Sequence, residues 1–392
     1  MRILFPTTLL PGMRRTGSEV ASQAFVDAMR AAGHDVTLLA YRRVDTTPPM
    51  APGDIAVADR HIETLTAGPR PAGWMLRAVL TRRPYSVAKY VGRAYARALR
   101  DAFEAGRPDL VVLDHAQMGW LVPPDGWDVP MVYLAHNVEH ALHDELSRHG
   151  GPRAWAHRRE DRRIRQVERM LIERAAELWT LSRGDAEALD ELAPGTPSRV
   201  FDVPPVTVPG PPGGHEHAVV ALGGWHWKPN AAGLRWFVEE VAPQLPADAP
   251  EVVIGGHSGE EIVGDRRPLR AVGHVPDALA FLQSGRVVVV PSTAGAGVQV
   301  KTLDAIASGR PVIATSVAMR GIADPPATVR TVDDPAQFAS AIAEALEGEP
   351  DAAAAAQAQT WAHERTTRFT AAVRDAVEQA GRAPAGAAEA VR

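Results

Sequence analysis

The segment from Val287 to Thr315 restricts the possible folds more than any other part of the chain. It opens on four valines, Val287–Val290, a buried-strand pattern, and passes through the turn Gly295-Ala-Gly297. A short helical pattern follows, stopped at Gly309-Arg-Pro311, and Val312–Ala314 reads as a second buried strand. This is a βαβ unit with its glycines where the helix begins. A helix start leaves N–H groups unpaired at the positive end of the macrodipole, which suits an anion. Val300, Leu303 and Ala307 fall at i, i+3 and i+7 and should pack on the sheet, leaving Lys301 and Asp304 on a neighbouring face. An ammonium beside helix-start amides suits a diphosphate, and a carboxylate one turn on suits a sugar diol. Together they predict a nucleotide-sugar site.

Lysine is scarce enough to be informative. Of 42 lysines plus arginines only three are lysine: Lys89, Lys228 and Lys301. A compact ammonium binds phosphate as a point charge, which a planar guanidinium does not replace. A length of 392 residues allows two or three domains, each with its own core. The 45% hydrophobic and 23% charged fractions are those of an ordinary soluble chain, and the net charge of −5 offers no general attraction to nucleic acid. The absence of cysteine excludes disulfides and thiolate metal sites and fits the cytoplasm. No apolar run reaches roughly 18 residues, and Met1-Arg-Ile-Leu-Phe-Pro is too short for a signal peptide. Any membrane contact is expected to be peripheral, at the inner face.

Short apolar runs alternate with helical patterns along the chain. Ile3–Phe5, Val36–Ala40, Leu110–Leu113, Met131–Ala135 and Trp179–Leu181 read as strands, and Val20–Met29 and Ile164–Leu178 as helices with one apolar face. A second alternation runs through Val219–Leu222, a helix near Ala231–Val241, Val252–Ile254, Val287–Val290 and Val312–Ala314. Such alternation predicts α/β domains with parallel sheets covered on both sides. The expected boundaries are a first domain at 1–203, a Pro/Gly linker at 204–214, a second domain at 215–350, a helix at 351–380 and a disordered tail at 381–392.

Gly295-Ala-Gly-Val-Gln-Val-Lys-Thr-Leu-Asp-Ala-Ile-Ala-Ser-Gly-Arg-Pro-Val-Ile-Ala-Thr315 resembles the donor-site signature of the retaining glycosyltransferases of family 4. Leu222-Gly-Gly-Trp-His-Trp-Lys-Pro-Asn230 is similar to the loop that opens the nucleotide-sugar domain there, and Gly273-His-Val-Pro-Asp277 to the loop that passes the nucleobase. Gly17-Ser-Glu19, Gly33-His-Asp-Val36 and Ala135-His-Asn-Val-Glu139 match in order and spacing, so the resemblance spans roughly residues 1–375. It implies the GT-B fold: two doubly wound Rossmann-like domains facing a central cleft, with the 351–380 helix crossing back to the first. The implied activity is retaining transfer of a hexose-type sugar from a nucleoside-diphosphate sugar to a hydroxyl of a glycan, lipid-linked or small natural-product acceptor. No cofactor and no obligatory metal are implied, and the chain lacks an Asp-x-Asp pair.

Carried onto this sequence, the resemblance assigns chemistry to His136, Lys301 and Lys228. It assigns donor binding to Gly17, Gly224, Trp225, Asn230, Val275, Gly297, Val298, Thr302 and Asp304. The acceptor side receives Ser18, Asn137 and Glu139, and, from the charge pattern of residues 64–100 rather than the resemblance, Arg83 and Tyr85. Two positions depart from the pattern: Asp304 stands where the family usually has glutamate, and Ala296 where many relatives carry a second acid. They leave open a GT-B protein that binds nucleotide sugar without normal transfer. An NAD-type dehydrogenase is disfavoured, because Val300 stands where the third fingerprint glycine belongs and no acid ends a strand about 20 residues on.

Residues 64–100 contain no acid but eight basic residues (Arg70, Arg77, Arg82, Arg83, Lys89, Arg93, Arg97 and Arg100), interleaved with Trp74, Tyr85, Tyr90 and Tyr95. Such a stretch suits an anionic membrane, through Arg82, Arg83, Trp74 and Tyr85, or an acidic acceptor. Arg153–Arg174 mixes its signs with Glu160, Asp161, Glu168 and Glu173 and predicts a salt-bridged exposed helix.

Overall fold

In the computed structural model the chain divides into two compact units, Met1–Phe201 with Phe369–Arg392, and Asp202–Arg368. The structure describes residues 1–384 except 15, 45, 63–66, 142–153, 207–213, 247, 296 and 349–350. Most of the expected linker, Ala296, Arg153, positions 64–66 of the basic stretch and 385–392 of the expected tail lie outside the described residues.

The first unit is built on seven strands: β1 (Arg2–Leu9), β2 (Asp35–Arg43), β3 (Ile55–Arg60), β4 (Leu110–Asp114), β5 (Met131–Ala135), β6 (Glu177–Thr180) and β7 (Ser198–Val200). Their spatial order is β3-β2-β1-β4-β5-β6-β7, and the described pairs are parallel. β4 and β5 are buried along their whole length, the outcome for an apolar run covered by helices on both faces. The chain direction across the sheet reverses between β1 and β4, the place where such sheets open a crevice at their carboxyl edge. Pairing of β1 with β4 covers Ile3 and Leu4 and stops short of Pro6, which has no N–H to donate. Phe25 packs in this core against Trp179, Phe201 and Phe369, with ring centroids 5.8, 5.0 and 5.0 Å away.

The second unit has six strands: β8 (His217–Leu222), β9 (Val252–Gly255), β10 (Leu269–Gly273), β11 (Gly285–Val290), β12 (Val312–Ala314) and β13 (Val329–Thr331). Their order is β10-β9-β8-β11-β12-β13, again with parallel pairs, and the switch lies between β8 and β11. The loops leaving β8 and β9 approach closely: a Cβ on Gly256, whose φ is 113°, would stand 1.8 Å from the Gly223 carbonyl oxygen. Only glycine permits that approach. The Val300–Ala307 helix buries Val300, Leu303 and Ala307 and leaves Lys301 and Asp304 half-buried.

Four strands go beyond the sequence expectation: β3, β7, β10 and β13. All are sheet edges with half-exposed residues, so none carries a continuous apolar run. The expected strand Trp179–Leu181 is instead Glu177–Thr180, and the helix expected to reach Leu178 ends at Arg174. The Ala176 N–H already donates to Met131 O, at 2.7 Å, so sheet pairing overrides helical propensity there. The helix expected near Ala231–Val241 begins at Lys228 and closes in a π turn at Phe237–Val241. The Ala154–Arg174 helix is not simply a solvated face. Glu160 accepts the Tyr85 and Ser86 N–H groups, and Glu168, fully buried, accepts those of Glu139 and His140. Its arginines Arg159 and Arg163 donate to carbonyl oxygens, leaving Asp161–Arg165 as a described i,i+4 pair.

Candidate active site

In the first unit, polar side chains gather at the β1/β4 switch point. Asp114 is the last residue of β4, and His136 follows the last residue of β5. Asp114 is fully buried; its Oδ2 accepts from Thr7 Oγ1 at 2.5 Å and Ser22 Oγ at 2.7 Å, and its Oδ1 lies 2.6 Å from His136 Nε2. Burial alone would raise the carboxyl. The adjacent His115 and His136, with hydrogen bonds from His136 and Thr7, outweigh it and hold Asp114 well below the usual range. An ionised Asp114 fixes the proton of His136 on Nε2, which leaves Nδ1 as an acceptor. That Nδ1 is buried with no hydrogen-bond partner among the described residues.

His115 stacks on His136 with ring centroids 4.1 Å apart, and its backbone sits at φ 72°, a costly conformation for histidine. Burial lowers its imidazole to about 4, so it is neutral at neutral pH. Glu139 is pushed up to about 7 by burial and the like charge of Glu168, against a hydrogen bond from Gln117. It therefore exchanges its proton near neutrality. Ligand atoms of Asp114, His115 and His136 lie within 4.8 Å of one another. A tetrahedral ion with ligands at roughly 2.1 Å keeps them about 3.4 Å apart, whereas the Asp114–His136 contact is 2.6 Å. The arrangement is a hydrogen-bonded dyad.

The other first-unit candidates are more scattered. Gly17 is the exposed first residue of the Gly17–Ala31 helix, and Ser18 lies beside its cap Thr16, with the two hydroxyls 3.1 Å apart. Asn137 is half-buried next to His136. Arg83 and Tyr85 take their contacts elsewhere: the Arg83 carbonyl accepts from Arg163, and the Tyr85 ring packs on Trp74 at 6.3 Å.

In the second unit the β8/β11 switch point holds Lys301, Asn230, Gly224 and Trp225. Lys301 Nζ donates to Asn230 Oδ1 at 2.9 Å and lies 5.8 Å from the Trp225 ring centroid. Asn230 Nδ2 in turn donates to Gly224 O at 3.1 Å, so the loop after β8 and the helix after β11 are tied together. Burial lowers the Lys301 ammonium to about 8. Asp304 Oδ1 accepts the Val206 N–H at 2.8 Å.

Several donor-side expectations need correction. Gly297 and Val298 do not supply helix-start amides: the helix begins at Val300 after the cap Gln299, and Gly297, at φ 72°, belongs to the preceding turn. Trp225 is 2% exposed and belongs to the core, with its indole N–H donating to Gly255 O at 2.9 Å; Trp227 is the exposed indole. Thr302 is fully buried, and its Oγ1 has no hydrogen-bond partner among the described residues. Lys228 is exposed at the start of its helix, and Val275 is half-buried in the loop after β10.

Sequence reasoning missed Asp114, His115 and Glu168. For the first two a signal existed: Leu110–Leu113 ends on Asp-His just as Met131–Ala135 ends on His-Asn, two polar pairs at the carboxyl ends of neighbouring buried strands.

Comparison with known proteins agrees with this architecture. Residues 216–348 match the family described as glycosyl transferases group 1, and residues 16–205 match the glycosyl transferase 4-like domain. No curated protein matches the chain in sequence. Among solved structures, sucrose-phosphate synthase from Thermosynechococcus elongatus superposes with a TM-score of 0.65 at 17% identity, covering 97% of this chain and 98% of that one. WaaG, a glycosyltransferase involved in lipopolysaccharide biosynthesis, gives 0.63 at 17% identity, covering 97% and 100%. Anabaena HepE, solved with UDP-glucose, gives 0.60 at 13% identity, covering 97% and 100%. The two family matches fall on the two Rossmann-like units and, together with the fold of these structures, support a glycosyltransferase of the GT-B fold.

Proposed function

We propose that the chain is a retaining hexosyltransferase that takes its sugar from a nucleoside diphosphate and passes it to a hydroxyl acceptor without a metal. The observation that carries this reading is Lys301: a desolvated ammonium, bonded among the described residues to a neutral amide oxygen, at the carboxyl edge of a doubly wound sheet. A leaving diphosphate supplies a countercharge to Lys301, and the interaction strengthens as charge develops on the leaving oxygen. Asp304, one turn further along the same helix, is assigned to the ribose diol, exchanging its bond to the Val206 N–H for bonds to the two hydroxyls. HepE, similar in fold, was solved with UDP-glucose, which supports a nucleotide-sugar donor here.

His136 is assigned to the transferred sugar, through Nδ1. In the retaining reaction the acceptor oxygen attacks the anomeric carbon from the face the diphosphate leaves, and the acceptor proton passes to a leaving phosphate oxygen. The Asp114–His136 dyad favours a second reading. A neutral imidazole with a free Nδ1 lone pair can take the acceptor proton itself, which would drive displacement from the opposite face and invert the anomeric centre.

A thermal-shift panel of nucleoside diphosphates and their sugars identifies the donor, and turnover with mixed acceptors follows. Release of diphosphate together with a product of unchanged anomeric configuration, read by NMR, is the expected result. An inverted product selects the dyad mechanism. Donor binding without turnover selects a nucleotide-sugar-binding protein, and failure of every nucleotide to bind refutes the assignment.

A further inference from the structure

The Arg70–Leu80 helix of the first unit is apolar on two sides. Trp74 and Ala78 face inward and are buried. The opposite face carries Met75, Leu76, Val79 and Leu80, which are 46, 61, 54 and 74% exposed. A helix on a soluble surface normally turns polar side chains outward, and four large apolar residues on adjacent turns form a contiguous patch of the kind that marks an interaction surface. Trp74, at 7% exposure, and the half-buried Tyr85 are therefore not the residues that reach outward, contrary to the expectation from sequence.

The same helix walls a cavity of about 590 Å³, lined on its cationic side by Arg60, His61, Arg70 and Arg77. The guanidinium of Arg60 is held by the Lys89 and Val91 carbonyls and lies 4.8 Å over the Tyr41 ring. Arg77 Nη1 donates to Val91 O at 2.6 Å, so two guanidinium groups are anchored on one carbonyl. Neither has a carboxylate partner among the described residues; Asp59, which also lines the cavity, is paired with Arg42 at 2.6 Å. Two oriented guanidiniums without a countercharge form an anion site. The cavity opens beyond the ends of β2 and β3, on the carboxyl edge of the sheet that also carries Asp114 and His136.

We propose that this helix docks the first unit on an anionic lipid surface, with its Met75–Leu80 face in the headgroup–acyl boundary and the guanidinium groups of the surrounding basic stretch drawn to the lipid phosphates at its flanks. A lipid is chosen over a soluble anion because the exposed face is apolar, and over a protein surface because the flanking charge is wholly basic from Arg70 to Arg100. Assigning this surface to the acceptor side rests on the proposed sugar transfer; the docking itself does not.

The test is co-sedimentation with vesicles of phosphatidylcholine alone and with added phosphatidylglycerol, at low and high salt. The wild type is expected to sediment with the anionic vesicles at low salt only. Leu76→Ser with Leu80→Ser should lower the partition coefficient at least about tenfold with an unchanged thermal midpoint, since both residues are exposed. Arg70→Gln with Arg77→Gln should lower it about 30-fold, from about 1 kcal/mol per cation near an anionic surface. The proposal is overturned if the wild type ignores anionic vesicles at low salt, or if the serine variant binds like wild type. It is equally overturned if glycerol phosphate binds in the cavity while vesicles do not, or if the serine pair dissolves a dimer formed without lipid. Nucleoside-diphosphate binding is measured in parallel by calorimetry. Its retention without vesicle binding sinks the docking alone, and the converse sinks the donor assignment alone.

Discussion

Removing the charge of Lys301 should make the free protein more stable and its nucleotide-bound form less so. Burial lowers the ammonium from 10.5 to about 8. At 1.36 kcal/mol per unit that is about 3 kcal/mol against the folded state at neutral pH. Partial exposure of the residue screens part of this cost. Loss of the 2.9 Å bond to Asn230 removes about 1 kcal/mol on the other side. Lys301→Met should then gain about 1–2 kcal/mol, at about 2–4 °C per kcal/mol. The sign with pH follows from a base whose folded value is depressed. Below about pH 8 the penalty is fully present in wild type, and stability is regained as pH rises from about 8 towards 10.5. The variant should lack that rise. Scanning fluorimetry from neutral to alkaline pH, with and without nucleoside diphosphate, reads both effects. Wild type should gain stability on adding the ligand and Lys301→Met should gain little. A variant that is less stable than wild type and still stabilised by the nucleotide would refute the reasoning.

His136→Ala should cut turnover by about 10²–10⁴ while leaving nucleoside-diphosphate affinity within about twofold, as calorimetry can check; an insoluble variant would point to a structural role. Asp114→Asn keeps the shape but loses the charge that fixes the His136 proton on Nε2, so it should lower turnover at nearly constant nucleotide affinity, and unchanged turnover would remove the dyad from the mechanism. Glu139 holds its proton more tightly folded than unfolded, so its contribution is present below about pH 4.5 and lost as pH rises to about 7; Glu139→Gln should flatten that fall in thermal midpoint, and identical pH profiles would show otherwise. Activity should persist in excess chelator, and loss restored by manganese or magnesium would revive the Asp114, His115 and His136 cluster as a metal centre.

Central strands were legible in the sequence because burial on both faces demands continuous apolar runs, as at Leu110–Leu113 and Val287–Val290. Edge strands were not: β7 and β13 expose much of their length and carry arginine, so nothing in their pattern separates them from loops. Lys301 and Asn230 could each be singled out from their positions, yet their bond spans 71 positions in the chain and only the fold brings it about. The choice between Trp225 and Trp227 was likewise tertiary, settled by the Gly255 carbonyl that accepts the Trp225 indole. Asp114 was overlooked because an aspartate after a strand reads as a turn former; its role appears only when Thr7, Ser22 and His136 converge on it from three other elements. Glu160 and Glu168 were misjudged for the complementary reason, since sign alternation along a helix does not reveal which carboxylates cap another element's amides.

The long Ala352–Ala380 helix starts among residues of the second unit, and from Phe369 onward its residues belong to the first. Phe369, Val373 and Val377 are buried there, the first against Phe25 at 5.0 Å. On the ribosome the first unit is therefore completed by residues translated after those of the second. Until Phe369 is made, the rings of Phe25 and Phe201 lack one of the partners they have in the finished protein. Translation must first pass through the whole second unit, about 10–30 s at about 5–20 residues per second. During that interval those rings are without that contact, while every residue of the second unit is made by Arg368.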